Sequence, residues 1–348
     1  MKKLFTLSFV IFGLLLPTAA MAQTFSEGGI EYQADDDGTA AVTGGTAEGT
    51  LSIPATIAHD GQDYTVNAIA DGTFKGSAVA TLDLSEATNL QRIGTSAFEE
   101  CEQLETVIFP ARESSKLKEI GSRAFCHDFA LKQMNLEDTR IVVLETLFTL
   151  EESDEISIPG LTSLALPETL QEIKPYALQC LDIKEIEIPS AVTKIGDYVL
   201  QGCINLKTFT WKGAQITSLP LHTFAYVGES LVKVTLLTVE PLQPDGLTDR
   251  HFYRIGANPA PAEVILTPES IASLATAGYT NETSIFSTLV AYRGDDDPTA
   301  IASPQRSDRH ASECGAYYNL QGIRIANPQP GCLYIRNGRK TVYRPFPS

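Results

Sequence analysis

The residues that could support catalysis are scattered along this chain rather than grouped by spacing. The sequence contains no G-x-S-x-G, H-E-x-x-H or G-x-G-x-x-G motif, and no glycine loop that would cradle a phosphate. No pair of carboxylates can be assigned by motif to acid–base work on a glycosidic bond. None of the histidines has a partner at a catalytic spacing; they are His59, His127, His222, His251 and His310. We therefore predict a protein that is not an enzyme, and a glycan-active enzyme is the least favoured alternative.

The six cysteines give no signature of a metal or redox centre, because no two of them are spaced as C-x-x-C. Cys314 and Cys332 flank a predicted small β unit and could form a disulfide, which export would permit. Asp35-Asp36-Asp37-Gly38 lacks the alternating ligand spacing of a calcium loop, so we interpret it as a solvated turn. Four cysteines lie at repeat positions typical of a small buried apolar side chain: Cys101, Cys126, Cys180 and Cys203. The sequence thus predicts neither a metal nor a cofactor.

The first 22 residues are typical of a signal peptide that is removed on export. Lys2 and Lys3 precede an apolar run over residues 4–16, and Ala20-Met21-Ala22 supplies the small residues of a cleavage site. That run is shorter than the roughly 20 residues a spanning helix needs, and no later stretch is long and apolar enough. Removal of the two lysines changes the net charge from −17 to −19, which disfavours nucleic acid and anionic membranes as partners. We expect an exported chain with no membrane span once the signal is removed.

A repeat with a period near 25 residues dominates the middle of the chain. Its clearest segments combine an isoleucine–glycine pair with an alanine–phenylalanine pair, as in Ile93-Gly94 with Ala97-Phe98 and Ile120-Gly121 with Ala124-Phe125. A large apolar residue recurs at positions 74, 98, 125, 148, 178, 200 and 224, which marks seven units. Stacked units of this kind bury a continuous core that no single unit could bury alone.

The second half of each unit follows the pattern Leu-x-x-Φ-x-Φ, in which Φ is a large apolar residue. Leu104–Pro110 and Ile183–Pro189 are two examples, and both end in a proline that stops the strand. The period-two alternation predicts a short, half-buried strand in every unit. We expect these strands to stack into one parallel sheet, with the isoleucine–glycine and alanine–phenylalanine segments filling the opposite wall. The register places Trp211 inside, as a core residue.

The complete pattern from Ile93 to Pro110, I-G-x-x-A-F-x-x-C-x-x-L-x-x-V-x-F-P, resembles the BspA-type leucine-rich repeat of bacterial surface proteins. The resemblance covers about residues 65–240. Later units depart from it, since Tyr176 and Tyr198 enter and leucine replaces phenylalanine at 178 and 200. It implies an α/β leucine-rich-repeat solenoid of short parallel strands, turns and short helices, with β-rich caps at both ends. It also implies a function such as adhesion to host matrix proteins or co-aggregation.

The flanking segments suggest further divisions of the chain. We predict an N-terminal β cap at 23–65, the solenoid at 66–240 and a C-terminal cap at 241–293 that contains a short helix from about Pro268 to Ala277, capped by Thr267. A polar linker at 294–313 leads to a small β module at 314–348, in which Asn337-Gly338 signals a hairpin. The module resembles the sorting modules of the type IX secretion system; a small β domain or a final cap is the alternative. That resemblance implies an extracellular or outer-membrane surface location in a Gram-negative bacterium.

The strand register also predicts which side chains face away from the core. Adjacent parallel strands lie about 4.8 Å apart, so outward residues form continuous polar columns. The first column is Thr81, Thr106, Gln133, Ser163, Glu185, Thr208 and Lys233, and the second is Asp83, Ile108, Asn135, Ala165, Glu187, Thr210 and Thr235. Such a face suits an extracellular protein or glycan partner, although these residues could instead only keep an exposed sheet soluble. The function we predict is extracellular binding or adhesion, and a structural or assembly role in the cell envelope is the alternative.

Overall fold

The chain, in this computed structural model, forms two compact units, residues 1–292 and 293–348. The signal peptide predicted at 1–22 and the linker predicted at 294–313 lie outside the described residues, as do Cys314 and Cys332. In the second unit only the backbone of four short strands is described. In the first unit the described residues are 23–148, 160–227, 231–248, 251, 263–280 and 289–292.

Six strands open the first unit: β1 (Gln23–Glu27), β2 (Ile30–Ala34), β3 (Thr39–Gly45), β4 (Glu48–Ser52), β5 (Thr56–His59) and β6 (Gln62–Ile69). β1, β2 and β3 pair antiparallel, and β5 folds back antiparallel on β6. β3 instead runs parallel to β6, which begins the stacking of coils. Burial alternates along β2, where Ile30, Tyr32 and Ala34 are buried, so this sheet faces the interior with one side.

The later coils add short strands on one or both of two sides of the molecule. These strands are β7 (Ala78–Asp83), β8 (Arg92–Ile93), β9 (Thr106–Ile108), β10 (Glu119–Ile120), β11 (Gln133–Met134), β12 (Val143–Leu144), β13 (Glu172–Ile173), β14 (Glu185–Ile188), β15 (Lys194–Ile195), β16 (Thr208–Ala214), β17 (Lys233–Thr238), β18 (Glu263–Leu266) and β19 (Leu289–Ala291). A 3-10 turn lies at Leu136–Asp138, and an α-helix, α1, spans Pro268–Thr276.

The strands form two parallel ladders. The first ladder contains β3, β6, β8 and β10, and then β12, β13 and β15; the second contains β4, β7, β9 and β11, and then β14 and β16 to β19. Equivalent residues stack in register, as Ile69, Ile93 and Ile120 do in the first ladder. The solenoid of stacked parallel strands is therefore confirmed. The isoleucine–glycine segments were expected only to fill the wall opposite the sheet, but they also form a hydrogen-bonded parallel ladder of their own.

The interior is shared by all the coils. The large apolar residues that mark the seven units are all buried, and so is Trp211. Phe74 stacks on Phe98 with ring centroids 5.5 Å apart, and Phe98 stacks on Phe125 at 5.8 Å. This continuous column of rings and aliphatic side chains explains why one coil cannot be stable without its neighbours.

A third column of hydrogen bonds runs along the turns that we call the turn wall: residues 72–76, 96–100, 123–127, 176–180, 198–202 and 222–226. The amides of Ser96, Phe98 and Glu100 donate to carbonyls one coil ahead at 3.0, 3.0 and 2.8 Å. The first and last residues of each turn have positive φ, for example 55° at Ser96 and 64° at Glu100. Residues other than glycine adopt this conformation at a cost of about 1–2 kcal/mol, so the bonds between coils must hold it in place.

The glycine of the isoleucine–glycine pair is required by close approach of neighbouring coils. A Cβ atom on Gly121 would lie 2.5 Å from the backbone nitrogen of Thr95, and one on Gly196 would lie 2.2 Å from that of Pro175. Neither glycine has positive φ, so close backbone approach rather than a left-handed conformation explains why glycine stands at these positions.

Both ladders are interrupted at the same junction between coils. Within the described residues, β10 and β12 do not pair, and residues 160–166 contain no strand that would continue β11 toward β14. The turn wall remains intact there, since Arg123 donates to the carbonyl of Thr146 at 2.7 Å and Phe125 to that of Leu147 at 3.0 Å. Arg140 also crosses this junction: its amide donates to the carbonyl of Leu117 at 2.8 Å, and its guanidinium donates to the carbonyls of Ser115 and Arg112 at 2.7 and 3.0 Å. The junction is therefore held by the wall, by Arg140 and by the buried core.

The predicted helix is confirmed at the end of the first unit. The hydroxyl of Thr267 accepts from the amide of Ser270 at 3.2 Å, and Pro268 occupies the first turn of α1. The hydroxyl of Ser270 is buried and accepts from the amide of Leu242 at 3.0 Å, which fixes the helix to the preceding chain. Across the described part of the chain, no helix is long and apolar enough to cross a bilayer.

The second unit contains β20 (Tyr317–Tyr318), β21 (Arg324–Ile325), β22 (Leu333–Arg336) and β23 (Arg339–Val342). They form an antiparallel sheet in the order β21, β20, β22, β23. β22 and β23 pair antiparallel, with Arg336 opposite Arg339. The hairpin turn predicted at Asn337-Gly338 lies outside the described residues. The role of this unit in sorting stays a prediction.

Candidate binding face

The second ladder brings the predicted first column together in two groups. Thr81, Thr106 and Gln133 are in register on β7, β9 and β11. Glu185, Thr208 and Lys233 are in register on β14, β16 and β17. Ser163 lies between the groups, where the amide of Lys184 bonds to the carbonyl of Thr162 at 3.2 Å.

The second column is aligned in the same way but is less uniform in chemistry. Asp83 is in register with Ile108, and Glu187 with Thr210 and Thr235. Glu187 is exposed, and Ile108 is an apolar side chain that stays 37% exposed. The column therefore offers one large aliphatic contact among polar groups.

Two side chains of this column already form hydrogen bonds with backbone groups of the protein. The Asn135 side chain accepts from the amide of Phe109 at 2.8 Å and donates to its carbonyl at 3.2 Å, so it ties two coils together. Asp83 accepts from the amide of Ser85 at 2.9 Å and closes the turn after β7. Neither side chain is fully available to a partner.

Thr235 does not face solvent, contrary to the register prediction. It is only 7% exposed, and its neighbour on β18, Ile265, is also buried. β17 is buried on both faces from Val234 to Thr238, so the face closes at this end. Lys233, at the edge of the closed region, lies 3.5 Å from the carboxylate of Glu263.

A lysine column, not predicted, lies beside the first column. Lys132, Lys184 and Lys207 each follow the first apolar residue of Leu-x-x-Φ-x-Φ and are exposed. Lys132 pairs with Glu105 at 2.8 Å across two coils. The recurrence of lysine at one repeat position was the sequence signal for this feature. The face thus presents both signs of charge.

Glu185 and Glu187 are the closest approach to the carboxylate pair of a glycosidase. They project from one side of β14, about 7 Å apart by strand geometry. Both are exposed on an open sheet rather than held in a cleft that would enclose a substrate. The arrangement suits binding better than acid–base catalysis.

A surface depression lies on the other side of the molecule, where the first ladder is interrupted. Its volume is about 550 Å³, and its lining includes Lys118, Ile120, Val142 and Glu145. Its lining combines the exposed aliphatic side chain of Val142 with charges of both signs.

The buried titratable groups have structural roles. The four repeat cysteines are free and buried, as predicted. The thiols of Cys101 and Cys203 donate to carbonyls one coil back, those of Phe74 at 3.3 Å and Leu178 at 3.0 Å, which explains the cysteine of the repeat pattern. His251 accepts from the amide of Thr248 at 2.8 Å, and burial lowers its pKa.

Comparison with known proteins gives a family match and several similar structures. The family described as BspA type leucine rich repeat region matches in six copies, over residues 67–165 and 158–243. A leucine rich cell surface protein from Faecalibacterium prausnitzii A2-165 is similar at 17% identity, with 80% of this chain and 96% of that chain covered and a TM-score of 0.43.

Two further solved structures are similar at lower TM-scores. The leucine rich repeat protein of T. pallidum has 17% identity, covers 74% of this chain and 97% of its own, and has a TM-score of 0.37. The pneumococcal vaccine antigen PcpA has 16% identity, coverages of 78% and 99%, and a TM-score of 0.32. No curated protein matches this chain.

Proposed function

We propose that this chain, which belongs to the BspA-type leucine-rich repeat family, is a non-enzymatic extracellular binding protein that contacts an extended protein or glycan through its second ladder. The observation that carries the proposal is the in-register column Thr81, Thr106 and Gln133, continued by Ser163, Glu185 and Thr208. Such a column repeats hydrogen-bonding groups at the spacing of stacked strands, about 4.8 Å.

The chemistry of the face indicates the kind of partner. Hydroxyl, amide, carboxylate and ammonium groups alternate over several coils, whereas Ile108 is the exposed large aliphatic residue of the two columns. Individual exposed polar contacts contribute little, about 0.5–1.5 kcal/mol each. A partner must therefore extend over several coils, which favours a long polypeptide or an oligosaccharide over a small molecule.

A charge-matched pair of variants tests the face. Gln133→Arg places a bulky side chain in the first column, and Thr193→Arg places the same side chain at an exposed position outside the second ladder. We expect the purified full chain to bind at least one matrix protein or glycan in an array, Gln133→Arg to lose that binding, and Thr193→Arg to keep it. Equal binding by both variants, or no binding by a folded wild type, would contradict the proposal.

We further propose that the protein is exported and acts at the outer surface of a Gram-negative cell. The signal-like segment at 1–22 and the sorting-like pattern of the C-terminal β module support this location. Fractionation of cells that express the chain with and without the region after Gly294 tests it. Surface exposure that depends on this region is expected, and retention of both forms in the cytoplasm would contradict it. A stable complex captured from outer membranes would instead favour the envelope-assembly role.

A further inference from the structure

We propose that Glu99, Cys126 and His127 form a binding site for a borderline divalent cation of the Zn²⁺ class. A carboxylate oxygen, a thiol sulfur and an imidazole nitrogen from these residues all lie within 4.8 Å of one another. The site lies in the turn wall, away from the proposed binding face, and the inference does not depend on that proposal.

Stacking of two coils creates this cluster. Glu99 follows Phe98 and Cys126 follows Phe125, so the two residues occupy the same position in successive coils. The rings of Phe98 and Phe125 stack at 5.8 Å, and the amide of Glu100 donates to the carbonyl of Cys126 at 2.8 Å. The ligand atoms therefore converge although they are 27 positions apart in the chain, a spacing that no local metal motif would reveal.

His127 connects the cluster to solvent. Glu99 and Cys126 are buried, whereas His127 is half-buried and lines a surface depression of about 270 Å³ together with Glu100, Glu102 and Phe129. A cation can enter through this depression, and a water molecule can complete its coordination from the same side. The two glutamates at the entrance favour positive ions.

The donor set matches zinc chemistry. Zn²⁺ takes thiolate, imidazole and carboxylate ligands at about 2.0–2.3 Å and accepts three protein ligands with water in the fourth position. Tetrahedral geometry at those lengths separates ligand atoms by about 3.3–3.8 Å. Since the three atoms already lie within 4.8 Å of one another, the site needs to contract by at most about 1.5 Å on binding. The half-buried imidazole of His127 is the group that can move. Binding exchanges the thiol proton of Cys126 for the metal–sulfur bond, and that proton leaves to solvent.

In the absence of a metal, the Glu99 carboxylate forms ion pairs with two basic side chains. Glu99 is 1% exposed and forms ion pairs with Arg123 and, at 3.5 Å, with Lys75. The side chains of Lys75 and Arg123 are 43% and 41% exposed, so both can turn to solvent when a metal replaces them. Asp128 adds a fully buried carboxyl with one oxygen that lacks a hydrogen-bond partner, and it interacts electrostatically with Glu99 and Cys126.

Titration of the full chain with Co²⁺ and then Zn²⁺ tests the site. The protein would carry Cys314→Ser and Cys332→Ser, so that thiols outside the described residues do not contribute. We expect one equivalent of Co²⁺ to produce a thiolate-to-cobalt absorption band, and Zn²⁺ to abolish it by displacement. Cys126→Ser and His127→Asn should each weaken binding at least tenfold; asparagine tolerates the positive φ of His127, so this variant should fold.

Two controls separate ligation from general effects. Cys101→Ser removes a buried thiol of the preceding coil and should leave the band unchanged. Lys75→Gln removes a competing cation and should tighten Zn²⁺ binding severalfold, an effect that a purely structural ion pair would not produce. Absence of the band, or its persistence in both Cys126→Ser and His127→Asn, would overturn the proposal.

Discussion

The early and late coils of the solenoid use the same hydrogen-bonded wall but place their aromatic column differently. In the early coils Phe74, Phe98 and Phe125 stack inside the core, two residues after the position of positive φ. In the late coils Tyr176, Tyr198 and His222 occupy the positive-φ position itself and stack at the surface, with ring centroids 5.1 and 4.8 Å apart.

The difference shows that core filling by the side chain and hydrogen bonding by the backbone are independent roles of one repeat. Leu178 and Leu200 fill the interior where the early coils have phenylalanine, so the core does not require an aromatic residue. The backbone bonds of the wall are the same in both regions: Phe98 donates to Ala124 at 3.0 Å and Leu200 to Thr223 at 3.1 Å. The main chain therefore sets the fold, and the ring column can move from the core to the half-buried surface.

The largest expected effect is loss of a ring from the buried column. Phe98→Ala should lower the free energy of unfolding by about 3–5 kcal/mol, because a phenylalanine stacked on both sides leaves a cavity between rigid coils. Urea denaturation followed by circular dichroism measures the change. Tyr198→Ala is the matched change in the surface column, and a loss as large as that of Phe98→Ala would contradict the separation of the two columns.

A side chain placed where neighbouring coils approach closely should lower the free energy of unfolding by a similar amount in the early and the late coils. Gly121→Ala and Gly196→Ala each place a methyl group within 2.5 Å of the preceding coil's backbone, which cannot yield as a side chain can. Each should destabilise by about 1–3 kcal/mol. Gly44→Ala provides a comparison without a backbone clash, because Gly44 has no positive φ and the closest atoms to its Cβ position belong to the flexible side chain of Glu31. Comparison of the denaturation midpoints of the three variants shows whether the close approach of the neighbouring backbone, rather than the loss of a glycine as such, causes the destabilisation.

Acidification should weaken the late end of the solenoid through His251. Burial lowers the pKa of this histidine below 6.5, so the unfolded chain binds its proton more readily than the folded chain. Its contribution is complete above pH 6.5 and is lost as pH falls through the folded-state pKa, by up to about 1.4 kcal/mol per pH unit. Unfolding measured between pH 6.5 and 5 should show this slope, and His251→Gln should flatten it. An unchanged slope in the variant would exclude His251 as the cause.

The smallest expected effect is the difference in stability between two variants of Tyr198, which separates the contribution of ring stacking from that of backbone strain. Tyr198→Ala removes the stacking on two neighbouring rings, and each stacked pair contributes about 0.5–1.5 kcal/mol to stability. The variant keeps the left-handed φ of 59°. Tyr198→Gly loses the same contacts but relaxes that φ, so it should be more stable than the alanine variant by about 0.5–1 kcal/mol. The reverse order would show that the wall does not hold the backbone under strain.

The sequence predicted those features that repeat with the period of the coil. The buried column, the inward Trp211 and the cap at Thr267 all follow from local pattern, and all are confirmed. The first ladder was missed because most of its strands, such as β8 and β10, are two residues long and carry no alternation. The positive φ of Arg123 and Tyr176 was missed because neither residue type favours it.

Properties that depend on neighbouring coils could not be predicted. Thr235 obeys the strand alternation but is covered, and Asn135 faces outward in register but bonds to the backbone of Phe109. The cluster of Glu99 and Cys126 exists only because two coils stack. In each case the decisive partner is about one period away or beyond, where a single sequence gives no pairing information.

The interruption of both ladders at one junction has a mechanical consequence. Coils contact only their neighbours, so a pulling force passes through every junction in series. Where β10 and β12 do not pair, the load falls on turn bonds such as that from Arg123 to Thr146 and on the few bonds that Arg140 makes to the preceding coil. Under tension the rod should part there first, into an amino-terminal and a carboxy-terminal block that each keep their own ladders. A surface-tethered molecule would then lengthen in one defined step and keep most of its contact face folded.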